Sequence, residues 1–214
     1  MRGCKVLSDE EIRLVLNELQ VRDRILFLTC LTFGTRISEA LDLKFGDLKG
    51  KTLYLRSQKG SENQSFPIPE SYKAEINELK KFYEEKGVDI SDYSPLFMSQ
   101  KGINRSITRQ LASYVIKSVS KRMQLDGKIN THSFRKSFVN RIYELTGYNI
   151  AETKTYSRHK SLVNLEYYIK TTESTDLVKK LIWIWCVRYS PWCWNIWGNI
   201  FNGDFMTVVD LSLN

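Results

Sequence analysis

The chain has 214 residues, 42% hydrophobic and 26% charged, with a net charge of +8 at neutral pH. That is the make-up of a soluble globular protein with one good core, and it excludes a disordered or membrane-embedded chain. The four cysteines (4, 30, 186 and 193) form no C-x-x-C pair and, with two histidines, make no zinc-ligand set, while the opening MRGCKVLSDEE lacks the apolar run of a signal peptide; free thiols in a reducing, intracellular compartment are expected.

Ser8-Asp-Glu-Glu11 reads as a capping box opening a helix of about 12 residues, with Ile12, Leu14, Val15, Leu16 and Leu19 as its apolar residues. A second helix, Asp23 to Phe33, is apolar nearly all round and is expected at the centre of the domain, ended by Gly34. Arg36 then stands at the start of a third helix that Ile37, Ala40 and Leu41 anchor to the core. Glu39, three residues on, shares a helix face with Arg36 and can orient its guanidinium. The β signal is confined to Lys51–Arg56 and Gln64–Ile68, two alternating runs joined by a turn carrying Lys59. A Lys in such a turn either solubilises it or swings its ammonium into a ligand groove.

Glu70 to Lys86 reads as an amphipathic helix ending at Gly87, and LFMSQKG as a short edge segment. Ser106 to Met123 reads as a helix whose buried side carries Leu111, Tyr114, Val115, Ile116 and Val119. From Lys101 to Lys136 the chain holds nine basic residues (Lys101, Arg105, Arg109, Lys117, Lys121, Arg122, Lys128, Arg135 and Lys136) against one acid, Asp126, which accounts for the whole net charge. A field of one sign suits a polyanion, of which nucleic acid is the commonest. The alternative is a solvated basic face without a partner.

Thr131 is placed to cap a helix bearing His132 and Arg135, whose spacing of three lets both reach one small anionic group. His159 and the pair Tyr167–Tyr168 follow, the last nine residues beyond that histidine, with helices expected at Ile150–Thr155 and Leu162–Ile169. The alternative is an ordinary helix start with two core tyrosines. All five tryptophans lie between residues 183 and 197, in a tail that Arg188 and Pro191 interrupt too often for a membrane span. That tail either packs on the domain, docks onto another subunit, or is an exposed apolar segment.

Together FGTRISEALDLKFGDL, the hairpin LRSQKG…SFPIP, THSFRKSF and RHKSLVNLEYYIK resemble the catalytic domain of the tyrosine recombinase (phage integrase) family, over about Leu7 to Lys170. The resemblance implies a mainly α fold with a small antiparallel β-sheet, and DNA cutting and rejoining through a 3′-phosphotyrosyl intermediate without metal or other cofactor. Tyr168 then matches the nucleophile, Arg36 and Arg135 the phosphate clamp, and His132 and His159 two further phosphate ligands. His132 also helps to remove the tyrosine proton, Lys59 matches the general acid, and Glu39 steadies Arg36. The implied partners are double-stranded DNA, further copies of the chain, and a separate DNA-binding chain; the implied location is cytoplasmic, on DNA, with no membrane.

Two departures stand out. The family's last histidine normally follows Leu-Gly, whereas His159 follows Ser157-Arg158. The family's N-terminal core-binding domain is expected to be absent, with residues 1–175 expected to form the catalytic-type domain and 176–214 a tail without a match. The expected function is that of a site-specific integrase or resolvase of a virus, plasmid or other mobile element; the alternatives are a type IB topoisomerase-like enzyme and a truncated, non-catalytic DNA-binding module.

Overall fold

Ser8 opens the first helix as its local sequence demands. Its hydroxyl accepts from the Glu11 amide at 3.2 Å, and the Glu11 carboxylate accepts from the Ser8 amide at 3.0 Å. The computed structural model describes residues 3–56, 62–100 and 105–169, as eight helices and two strands among those residues. They are α1 (Asp9–Asn17), α2 (Val21–Thr32), α3 (Ile37–Leu41), β1 (Thr52–Leu55), β2 (Gln64–Pro67), α4 (Glu70–Glu84), α5 (Arg109–Arg122), α6 (Thr131–Leu145), α7 (Ile150–Ser157) and α8 (Leu162–Ile169). A single 3₁₀ turn, Phe45–Leu48, leads from α3 toward the sheet.

α2 is the hub, with α1, α3, α4 and α6 all packed on it. Ile25 through Thr32 are all buried, which is why no polar face could be read from its sequence. β1 and β2 pair antiparallel from Thr52↔Pro67 to Leu55↔Gln64. Leu53, Leu55 and Phe66 point into the core, while Tyr54 faces solvent.

α6 joins two apolar clusters. Phe134 stacks on Phe27 of α2, with ring centroids 4.5 Å apart, in the main core. One turn on, Phe138, Val139 and Ile142 form a second cluster with Leu165, against which Tyr168 and Ile169 pack. α7 and α8 are thereby carried on α6 rather than on the hub.

The N-terminal segment is stitched to the same helix. Leu7 donates its amide to Ser137 Oγ at 2.8 Å, and the buried Lys136 ammonium donates to the Cys4 carbonyl at 3.1 Å. Just ahead of α6, the Lys5 amide donates to the Lys128 carbonyl at 2.9 Å.

Several expectations are corrected. α1 has nine residues rather than twelve, α2 begins two residues before Asp23, and α4 ends at Glu84. α5 starts at Arg109, capped by the Thr108 hydroxyl; Ser106 instead bridges to Met98 and donates to the Leu41 carbonyl at 2.6 Å. Over residues 96–100 the structure therefore shows an isolated bridge at Met98 in place of the expected short edge segment. Leu111 and Tyr114 face solvent, and the small side chains Ala112 and Ser120 take the buried side with Ile116 and Val119. α6 is capped by Asn130, whose side chain accepts from the His132 amide, and Thr131 is its first residue. Among the described residues no helix is long and apolar enough to cross a membrane. The tryptophan-rich tail lies outside them.

Candidate active site

The turn between α2 and α3 begins the site. Gly34 holds φ +58°, and a Cβ there would run into the Phe138 ring, so only glycine lets α6 come this close. Two residues on, the Arg36 amide donates to Glu39 Oε2 at 2.8 Å and its guanidinium to Oε1 at 3.1 Å. Glu39 caps α3 from inside and aims Arg36. It is 5% exposed, so this is a buried ion pair and not a surface one.

α6 delivers the next two groups. Arg135, 1% exposed, donates through one terminal nitrogen to the Gly34 carbonyl and lies 3.9 Å from Glu39 Oε2. Its other terminal nitrogen donates to the Ser157 carbonyl at 3.0 Å and reaches His159 Nε2 at 3.4 Å. Its Nε is buried without a hydrogen-bond partner. His132, half-buried one turn earlier, feels the charges of both Arg135 and Arg36.

α7 and α8 close the arrangement. His159 Nδ1 lies 2.9 Å from Ser157 Oγ, and its ring meets the Tyr168 ring with centroids 4.8 Å apart. An arginine N–H can only donate, so Nε2 accepts from Arg135 while Nδ1–H donates to the serine. For Nε2 to serve an anionic oxygen as a donor, the serine hydroxyl must donate to Nδ1 instead and the Arg135 N–H must turn from Nε2 to that oxygen. Asn140 of α6 donates to the Tyr168 carbonyl at 2.9 Å and fixes α8 from behind.

Charge within this cluster is unbalanced: Arg36, Arg135 and Arg158 surround one carboxylate, Glu39. Burial pushes the Arg135 guanidinium down to about 10, and Arg36 adds to the effect. Burial raises the Glu39 carboxyl, but the Arg36 amide and the arginines outweigh it and hold the group below its ordinary value. Burial, then Arg135, Arg36 and Arg158, depress His159 to about 3, and burial with Arg135 lowers His132 as well. Both imidazoles are therefore neutral at pH 7. The site offers an excess of fixed cation, two neutral imidazoles and a phenol. That is equipment for binding a phosphate diester and attacking it with an activated hydroxyl.

Of the residues singled out from sequence, Arg36, Glu39, Arg135, His159 and Tyr168 are brought together, with His132 beside them. Lys59 and Lys101 lie outside the described residues, and so does the side chain of Tyr167. Arg105, Arg109, Lys117, Lys121, Arg122 and Lys128 are exposed. Those on α5 belong to a helix packed against α3, which Arg36 precedes, and α6, which bears Arg135. Arg122 is engaged by Glu18 at 2.8 Å. Lys136 differs from these: its ammonium is buried and donates to the Cys4 carbonyl, where the sequence suggested another exposed cation.

Arg158 was missed. It is 1% exposed, donates to Glu39 Oε2 at 3.3 Å, and occupies the left-handed region at φ +59° and ψ +30°. That backbone is what the usual glycine before the last histidine would adopt freely, so the departure in sequence preserves the turn.

The phage integrase family profile matches residues 5–175. Tyrosine recombinase XerA of Pyrococcus furiosus is 26% identical over 192 residues, covering 83% of this chain and 64% of that protein. A probable integrase/recombinase of Bacillus subtilis, YoeC, is 29% identical over 167 residues, covering 78% of this chain and 87% of its own length. Among solved structures, XerA recombinase superposes with a TM-score of 0.64 at 18% identity, over 84% of this chain and 64% of that one. A lambda integrase dimer bound to a COC′ core site superposes with a TM-score of 0.63 at 16% identity, over 82% of this chain and 51% of that one. The chain thus spans under two thirds of the length of XerA.

Proposed function

The chain belongs to the phage integrase family, and from that premise we propose that it is a site-specific DNA strand transferase whose nucleophile is Tyr168. The observation that carries this reading is the convergence of α6, α7 and α8: the Tyr168 ring lies on His159, whose Nε2 is within reach of Arg135.

In the proposed reaction the Tyr168 oxygen attacks the scissile phosphorus and the bond to the 5′-oxygen breaks, leaving a 3′-phosphotyrosyl ester. The phenolic proton passes to neutral His132, because a protonated phenol is a poor nucleophile. Arg36 and Arg135 hold the non-bridging oxygens, and their planar donor sets suit that geometry. Such preorganised donors typically supply about 2.7–4 kcal/mol each. His159 adds a further donor once its tautomer switches. Lys59 protonates the departing 5′-oxygen. Rejoining is the same sequence in reverse, with a 5′-hydroxyl from either strand as nucleophile.

The proposed partners are double-stranded DNA and further copies of the chain; a lambda integrase dimer solved on its core site supports this by likeness of fold. The proposed setting is a virus, plasmid or other mobile element, which the match to the phage integrase family supports.

A nicked suicide substrate tests the reading. The protein should form a covalent adduct with it, Tyr168→Phe should abolish the adduct while leaving duplex binding intact, and Tyr167→Phe should retain it. An adduct that survives Tyr168→Phe and disappears with Tyr167→Phe would place the nucleophile one residue earlier.

A further inference from the structure

The Arg158 side chain does more than balance Glu39. Its Nε donates to the Glu62 carbonyl at 3.0 Å and one terminal nitrogen to the Arg56 carbonyl at 3.2 Å. The other terminal nitrogen is the one on Glu39 Oε2. In return, the Glu62 amide donates to the Arg158 carbonyl at 3.3 Å. Arg56 follows the last residue of β1 and Glu62 precedes β2 by two, so these are the two stems of the hairpin. One guanidinium therefore ties both stems to the carboxylate that aims Arg36. The sheet itself is only four residues long on each side and pairs with no third strand among the described residues. Two short strands hold an orientation poorly without an outside anchor.

We infer that Arg158 is a positioning residue, which fastens the β1–β2 hairpin to the Glu39 node and so sets the hairpin against the phosphate-binding arginines. A planar group with donors pointing in three directions is needed for this; a lysine ammonium on a flexible stem cannot span the same three acceptors. A glycine here would keep the left-handed turn and lose the fastening, so in this chain the two functions of the position are separable. Lys59 is three residues from each fastened stem along the chain. The catalytic consequence rests on the reading of Lys59 as the general acid.

The test compares wild type with Arg158→Gly, Arg158→Lys and Lys59→Ala. Peptide-level amide exchange in the DNA-free protein reads the fastening directly. Residues 52–67 should exchange faster in Arg158→Gly, with α2 unchanged as internal reference. Unchanged exchange of the hairpin overturns the inference whatever the role of Lys59.

Adduct formation then reads the catalytic consequence. On a normal phosphodiester, Arg158→Gly should slow the step by about a hundredfold, as loss of a general acid typically does, with duplex binding unchanged. A 5′-bridging phosphorothioate, whose leaving group needs no proton, should restore both Arg158→Gly and Lys59→Ala. Rescue of Lys59→Ala alone refutes action through the hairpin. Failure to rescue Lys59→Ala refutes the general-acid reading and leaves the fastening to the exchange result. If Arg158→Gly loses duplex binding through misfolding, Arg158→Lys, which keeps the charge beside Glu39, carries the same comparisons; wild-type exchange and wild-type cleavage in that variant overturn the inference.

Discussion

His159 is 3% exposed among Arg36, Arg135 and Arg158, and its depressed value of about 3 has a consequence for stability. In the unfolded chain the imidazole titrates near 6.5. Between those values the unfolded state binds a proton that the folded state refuses, so stability rises with pH across the window. The contribution is fully present above about pH 6.5 and is lost as pH falls toward 3, at up to about 1.4 kcal/mol per pH unit for one group. His132, also lowered, acts in the same direction. Thermal melts between pH 7 and 5, above the range where most carboxylates titrate, should show a falling midpoint in wild type and a shallower fall in His159→Gln. A flat wild-type profile would mean that the site accepts the proton and that the cationic surroundings are screened.

At the scale of elements, the approach of α6 to the α2–α3 turn depends on Gly34. Gly34→Ala should both push the Phe138 ring and force a left-handed alanine. Overpacking of this kind costs about 1–3 kcal/mol and the backbone about 1–2 more. Denaturant unfolding should show the loss, and Gly34→Ala combined with Phe138→Leu should recover the packing part only. Full recovery in the double variant would show that the backbone conformation carries no cost. What was legible in the sequence follows the same division between near and far. Arg36–Glu39 and His132–Arg135 could be read because their members are three residues apart on single helices. Arg158 could not, because Glu39 lies 119 residues away and an arginine gives no signal for a left-handed turn. Lys136 looks like its neighbours in a basic run, and only the Cys4 carbonyl, 132 residues distant, reveals it as buried. On α5 the apolar residues span too much of the circumference to define one face. The buried side went to Ala112 and Ser120, leaving Tyr114 outside.

For the whole molecule, the proposed function makes the exposed cations of the basic stretch the expected contacts with DNA. Arg105, Arg109, Lys117, Lys121 and Lys128 are all exposed, and Lys117 and Lys121 lie one turn apart on α5. Each phosphate they neutralise should contribute about −0.9 to the log–log dependence of affinity on salt. Lys117→Ala with Lys121→Ala should therefore make the slope shallower by about 1.8. Lys136→Met should leave the slope unchanged and lower the melting temperature. A shallower slope in Lys136→Met would put that ammonium on DNA after all. The buried lysine also bears on how the chain reaches this shape. Its bond to Cys4, and that of Leu7 to Ser137, join residues 132 and 130 positions apart. Contacts so distant along the chain close late, since the intervening loop entropy must be overcome first. During synthesis the segment around Cys4 and Leu7 leaves the ribosome long before α6 exists, and it stays unsatisfied until α6 emerges. The helix that carries His132 and Arg135 is thus the one whose arrival satisfies that segment, and α7 and α8, which follow it and pack on it, bring Arg158, His159 and Tyr168 to the phosphate cradle last.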